Sequence, residues 1–405
     1  MDVAQASGPT LLFGHAAKDT DVSTIEPHHN SYIGNAPDLS SSITVPLTQR
    51  AIVPPEVGKE LNMSLRTILV REPDPGEVDS IFSVGPQPGY PKHNHIAGHE
   101  GIGYIVKSRD PTLVPSTDRL YGIHYLAWAC ESCTYCLRGL TTSCPFQLNT
   151  PKQIPGTFQE YVTVPSTVLV PLPETISQGG IDTALYTGAL CSGSTALMSL
   201  RAALLSPGDV VVVAGALGAL SHLTGMIAKK VMRPKVIGVD ISSKTDRVSS
   251  QEVDDCCDLL LQAPECYEGS AWEKFHAALL RACAQLRSGH VGGVERAAEA
   301  VIVTSSSIVA FQRLDKYVCD DGIIVCAGVP KRLNIVSLPL HSLIERKLRL
   351  TGNLMGGHEE TLEVMEYIRA GRITPRITNV GLEEVPNQLQ AMVDCQTIGK
   401  VVLSL

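Results

Sequence analysis

Four absences narrow what this chain can be. No basic run interrupts it, and 41 Asp and Glu against 33 Lys and Arg leave a net charge of −8. Nucleic acid and anionic membranes are held by clustered positive charge, so neither is expected as the main partner. No apolar stretch reaches the ~18 residues needed to span a bilayer. No basic segment followed by an apolar core opens the chain, so a cytoplasmic protein without a secretory signal is expected. No cysteine stands before Cys130, and the 12 that follow do not form a small disulfide framework.

What is present fits a soluble globular protein. The 405 residues allow two domains with substantial cores, and 44% are hydrophobic against 18% charged. Seven cysteines, Cys256, Cys257, Cys266, Cys283, Cys319, Cys326 and Cys395, show no ligand spacing. They read as reduced, mostly buried thiols. Four others cluster. Cys130, Cys133 and Cys136 follow at three-residue intervals, and Cys144 comes eight further on. A tight loop with this spacing can wrap four thiolates around one tetrahedral zinc, at ~2.3 Å each. Four protein ligands leave no open position, so such a zinc is structural. The competing reading is a disulfide pair.

The pattern along the chain changes twice. Residues 1–46 are polar, rich in Ser, Asp, Pro and His, and without periodicity, which predicts a disordered extension. Short apolar runs broken by Pro and Gly follow, such as Tyr104-Ile105-Val106 and Tyr161-Val162-Thr163-Val164. They predict an irregular, barrel-like β domain. From Val210 the runs become continuous. Val210–Ala214 and Lys235–Asp240 read as parallel strands buried on both faces, with a helix at 223–231 between them. Further strands are expected at 300–303, 322–327 and 348–351, helices at 272–286 and 365–369, and a loop at 289–293. Alternating β and α elements predict an α/β, doubly wound parallel sheet.

The turn after the first of these strands is Gly215-Ala216-Leu217-Gly218-Ala219-Leu220-Ser221-His222. Glycines in such a turn let backbone approach a pyrophosphate, and the helix that follows points unpaired N–H groups at it. Asp240 ends the second strand, 25 residues after Gly215. A carboxylate there accepts hydrogen bonds from the ribose hydroxyls of NAD and repels the 2′-phosphate of NADP.

The lobe does not stand alone. Ala97-Gly98-His99-Glu100-Gly101, Gly156-Thr157-Phe158-Gln159-Glu160-Tyr161, Leu190-Cys191-Ser192-Gly193 and Gly399-Lys400-Val401-Val402 follow in order between about 52 and 405. Together they resemble the zinc-dependent medium-chain alcohol dehydrogenases, of fungal type. The resemblance implies a GroES-like catalytic domain, 47–194 and 352–405, carrying the zinc lobe 130–144. It implies a Rossmann domain at 195–351. It also implies small alcohol or aldehyde substrates, zinc and NAD as cofactors, and a homodimer or homotetramer.

The same resemblance assigns residues. Lys244 matches a ribose contact, Lys400 a pyrophosphate contact, and His358 the place of a phosphate-binding arginine. Relatives carry glycine where Leu217, Ala219 and Ser221 stand. A nucleotide-shaped fold that no longer binds is therefore a second reading of the turn. His99 and Cys191 match two ligands of a catalytic zinc, and Glu100 matches the carboxylate beside them.

The first ligand of that zinc, a cysteine, is absent. After Pro75-Gly76-Glu77-Val78 the chain continues Asp79-Ser80-Ile81-Phe82, about ten residues short of the family pattern. A skipped coding segment and a true loss both explain this. Asp79 lies near the break, and His93 and His95 share strand parity with His99. Any of them is a candidate substitute, against the reading that both histidines are solvated loop residues. Ser80 matches the hydroxyl that receives the alcohol proton, and Ser83 the group that relays it.

Three functions remain open. One is an NAD-dependent alcohol dehydrogenase impaired by the missing ligand. A second is a zinc-free quinone or enone reductase, and a third is an inactive nucleotide-binding relative.

Overall fold

The computed structural model describes residues 45–53, 64–70, 77–80, 83–84, 96–177, 182–287, 296–330 and 335–405. The expected extension falls, but for its last two residues, outside them, as do the loop at 289–293 and both His93 and His95.

The first half of the chain is built from short strands. They are β1 (Thr48–Val53), β2 (Ser64–Leu69), β3 (Glu77–Ser80), β4 (Ser83–Val84), β5 (Gly101–Ser108) and β6 (Ser116–Ile123). β7 (Leu126–Trp128), β8 (Leu148–Asn149), β9 (Val162–Pro165) and β10 (Leu169–Pro171) complete it. β1 and β2 form an antiparallel pair, and β7 and β8 another. β10, β6, β5 and β4 lie side by side in a larger sheet, with β3 joining β5 to β9. Ile105, Ile123, Val162, Val164 and Phe158 fill its interior.

The second half starts with helix α1 (Ser194–Ala202) and strand β11 (Val210–Ala214). Helix α2 (Ala219–Ile227), β12 (Lys235–Asp240), β13 (Leu259–Gln262) and helix α3 (Gly269–Leu286) follow. Then come β14 (Ala298–Val303), β15 (Val318–Cys326) and β16 (Arg349–Gly352). Among the described residues these six strands form one parallel sheet in the order β13-β12-β11-β14-β15-β16. The order reverses between β11 and β14, the place where open parallel sheets of this kind bind their ligands.

The continuous apolar run of β11 is explained by its two neighbours. Val211 and Val213 enter a core with Leu197 and Leu200 of α1 and Leu223 and Ile227 of α2. Val210 and Val212 enter a second core with Trp272, Phe275 and Leu279 of α3. Strand side chains alternate, so a strand with a helix layer on each face needs no polar position.

Helix α4 (His358–Arg369) begins seven residues before the expected 365 and buries Val364, Met365 and Ile368 in the core that α1 shares. The chain then returns to the first sheet. β17 (Ile377–Val380) pairs with β18 (Lys400–Leu403), and β18 pairs with β4. Ile43–Leu405 is one compact unit, so the two sheets belong together. No helix among the described residues is long and apolar enough to cross a membrane.

Three local expectations change. α2 starts at Ala219, not 223, because Gly218 already has the extended backbone of a helix cap. β13 was not foreseen: its Leu259-Leu260-Leu261 has no β-branched residue, and pairing with β12 makes it a strand. Among the seven unclustered cysteines, Cys266 is exposed, and Cys326 and Cys395 are half-buried.

Candidate active site

The four-cysteine lobe is assembled as its spacing predicts. Cys133 and Cys136 sulfurs stand 3.5 Å apart, Cys130 and Cys144 3.6 Å, and Cys130 and Cys136 4.0 Å. Tetrahedral ligands at ~2.3 Å from one ion are ~3.8 Å apart, so the sulfurs already frame a zinc-sized centre. None of the four is in a disulfide. Backbone N–H donation, first from Ser132, brings the Cys130 thiol down to about 6, while burial and the neighbouring thiols push Cys136 up to about 12.

His99 sits in the segment leading into β5. Gly156, Thr157 and Phe158 donate backbone hydrogen bonds to Ile96, Gly98 and Ala97 carbonyls, so two motifs recognised separately in the sequence hold one another. His99 is fully buried, and among the described residues neither ring nitrogen has a hydrogen-bond partner. Burial brings its pKa down to about 4, so the ring is neutral and both faces of the chemistry, donor and ligand, remain available. Tyr125 lies edge-on to it, ring centres 5.6 Å apart.

Cys191 occupies a π-helical turn, Ala189–Gly193, just before α1. Such turns re-aim a side chain that a regular helix would carry past a site. Burial pushes its thiol up to about 12. The residues after His99 and Cys191 tie these two segments together. Ser192 N–H and Oγ–H both donate to Glu100 Oε1, at 3.0 and 3.1 Å. Lys400 Nζ donates to Glu100 Oε2 at 2.5 Å and to Ser192 Oγ at 3.2 Å. Burial opposes ionisation of Glu100, but Lys400 overrides it and its carboxyl ends below the usual range.

The dinucleotide turn lies at the reversal point of the sheet. Gly215 has φ +88°, and a Cβ there would press on Ser305. Only glycine adopts this backbone freely. Asp240 is buried at the end of β12. Its Oδ2 accepts from Leu217 N–H and its Oδ1 from Ile241 N–H, both at 2.8 Å. Lys244 Nζ stands 4.0 Å from Oδ2. Ser221 donates to Thr304 Oγ1 at 2.7 Å, so the residue replacing a glycine finds a partner on β14's exit.

Comparison with known proteins agrees with this layout. Residues 74–174 match the family model of the alcohol dehydrogenase GroES-like domain. Alcohol dehydrogenase 2 of Emericella nidulans is 29% identical over 360 residues, covering 87% of this chain and 92% of its own. The chain carries the GroES-like domain of the alcohol dehydrogenases and is similar to them along most of its length. Two solved structures share its fold. Cobalt- and zinc-bound thermostable alcohol dehydrogenase from Pyrobaculum aerophilum is 21% identical with a TM-score of 0.70, over 88% of this chain and 100% of that one. Acetophenone reductase from Geotrichum candidum, in complex with NAD, is 19% identical with a TM-score of 0.70, over 89% and 98%.

Against the family pattern, the site is partly assembled. His99, Glu100, Cys191 and Lys400 converge, and Gly215, Gly218, Asp240 and Lys244 form the turn and its rim. Lys400, expected at a pyrophosphate, has its ammonium on Glu100. His358 is exposed at the start of α4. Ser80 and Asp79 have their backbones in β3, and Ser83 in β4. Among the described residues, the four lobe cysteines are the sole group of three or more metal-binding side chains close enough to share an ion.

Three residues escaped the sequence. Ser192 had no visible role beyond its motif. His222 donates from Nδ1 to Gly218 O at 2.9 Å and accepts Arg376 N–H on Nε2 at 3.2 Å. It pins the turn to the segment before β17. His124 is buried near His358 and His99, and its Nδ1 has no partner among the described residues. Local spacing does not reveal these roles, since Glu100 lies 92 positions from Ser192 and Arg376 lies 154 from His222.

Proposed function

We propose that this chain is an NAD-dependent oxidoreductase of the alcohol dehydrogenase type, acting on a small alcohol or aldehyde. The observation that carries the reading is His99: a buried, neutral imidazole with both nitrogens unpartnered among the described residues, its neighbour Glu100 bonded by Ser192, the residue after Cys191. A buried polar side chain left without a partner costs stability unless something binds there. The named relatives support the same reading, one as an alcohol dehydrogenase with zinc and another as a reductase with NAD.

Each residue has a task in this reading. Cys130, Cys133, Cys136 and Cys144 hold a structural zinc. His99 and Cys191 contribute to a second metal centre, which would supply Lewis-acid polarisation of the alcohol oxygen. Asp240 accepts the ribose hydroxyls and excludes a 2′-phosphate, with Lys244 at its rim. Ser80 carries the alcohol proton.

A second reading is favoured by one observation: among the described residues no third ligand joins His99 and Cys191. Losing a group that only orients a metal ligand costs ~10-fold to 100-fold in affinity or activity, and losing a ligand itself costs more. A chain without the second metal would be a zinc-free reductase or a nucleotide-binding relative. Metal analysis of the purified protein decides. Two zincs per chain with NADH-linked alcohol turnover support the dehydrogenase, and one zinc without turnover sinks it. One zinc with enone reduction supports the alternative.

A further inference from the structure

The buried hydrogen bonds around Glu100 do not stop at the metal side. Ser192 gives two of them to one carboxylate oxygen, so the other is left to Lys400. Lys400 opens β18, and the residue before it, Gly399, donates its N–H to Leu217 O at 2.8 Å. Leu217 is inside the glycine turn, and its own N–H donates to Asp240 Oδ2 at 2.8 Å. An unbroken chain of contacts thus runs from Ser192 through Glu100, Lys400, Gly399 and Leu217 to Asp240.

We propose that Ser192 is a positioning residue: by fixing Glu100 on Lys400 it holds β18 against the glycine turn, and so sets the geometry in which Asp240 meets a dinucleotide. The physical reason is the burial of the pair. Glu100 and Lys400 are each 2% exposed. A buried carboxylate cannot trade a lost partner for water, so removing the Ser192 hydroxyl leaves Glu100 free to shift and takes Lys400 with it. Gly399, covalently next, then loosens its hold on Leu217. The serine matters through its hydroxyl, because its N–H remains in any variant.

The test compares wild type with Ser192→Ala, Ser192→Thr and Glu100→Gln, without nucleotide and then with NADH. Hydrogen exchange is read by mass spectrometry on peptides covering 215–218 and 399. Ser192→Ala loses the hydroxyl's bonds to Glu100 and Lys400, and even one hydrogen bond to a charged group is strong enough to predict exchange about 10-fold faster there, in Ser192→Ala and Glu100→Gln alike. Ser192→Thr, which keeps the hydroxyl, should behave as wild type. NADH should bind up to ~10-fold more weakly in the two disrupted variants. Unchanged exchange at the turn overturns the proposal. So does faster exchange spread equally to the β1–β2 hairpin, which marks general loosening. Tighter NADH binding also overturns it, since Glu100 would then be holding Lys400 back from the phosphates. The NADH arm alone rests on the function proposed above. Wild type that fails to bind NADH sinks that function, while the exchange comparison still decides the role of Ser192.

Discussion

Lys400 Nζ lies 2.5 Å from Glu100 Oε2 across 300 positions of sequence, and both side chains are buried. The residue next to His99 is thus paired with the strand that ends the chain. The pair closes the first sheet's return segment onto the candidate metal site and brings β18 to the dinucleotide turn.

Lys400→Met should be strongly destabilising. Removing one member of a buried pair leaves the other charge uncompensated, at a cost of ~3–5 kcal/mol. Chemical denaturation would show a lower midpoint. The double variant Lys400→Met with Glu100→Gln should recover part of the loss, and a double variant no better than the single one would refute the pairing.

Cys133→Ser should release the lobe zinc. The four sulfurs are spaced 3.5–4.0 Å wherever a contact joins them, which is one ion's coordination shell. A structural zinc contributes directly to folding, so melting temperature should fall together with metal content. Full zinc retention in the variant would contradict the assignment.

Asp240→Ala should narrow a preference for NADH over NADPH, since the carboxylate that repels the 2′-phosphate is gone. Asp240 also accepts Leu217 N–H, so both affinities should drop while their ratio moves towards one. Fluorescence titration with both nucleotides reads this. Wild type that prefers NADPH would remove the basis of the prediction.

Stability should depend on pH through His222. Burial lowers its pKa from 6.5 to about 4, ahead of its other influences. The unfolded chain then takes up a proton between those values that the folded chain refuses. The His222 contribution is therefore complete above pH 6.5 and is lost as pH falls towards 4, by about 3 kcal/mol at most. His222→Gln should make the unfolding midpoint less steep across that window, leaving the part due to His99 and His124, which burial also lowers to about 4. An equally steep profile in the variant would assign the dependence to other groups.

The sequence by itself determined the elements whose signal is local. The lobe was legible because four thiols within 15 residues need no tertiary partner to be recognised. β11 and β12 were legible because strands covered on both faces carry no polar residue between their ends. Asp240 was legible because it closes one of those strands, a fixed step beyond Gly215. Tertiary structure alone decided the rest. Three consecutive leucines became β13 only through pairing with β12. Lys400 matches a pyrophosphate contact by its motif, and only the fold shows its ammonium on Glu100, because β18 folds back beside the segment that leads into β5. Ser192, His222 and His124 carried no spacing at all. Buried hydrogen bonds form between groups that the fold brings together, and sequence distance gives no measure of that approach.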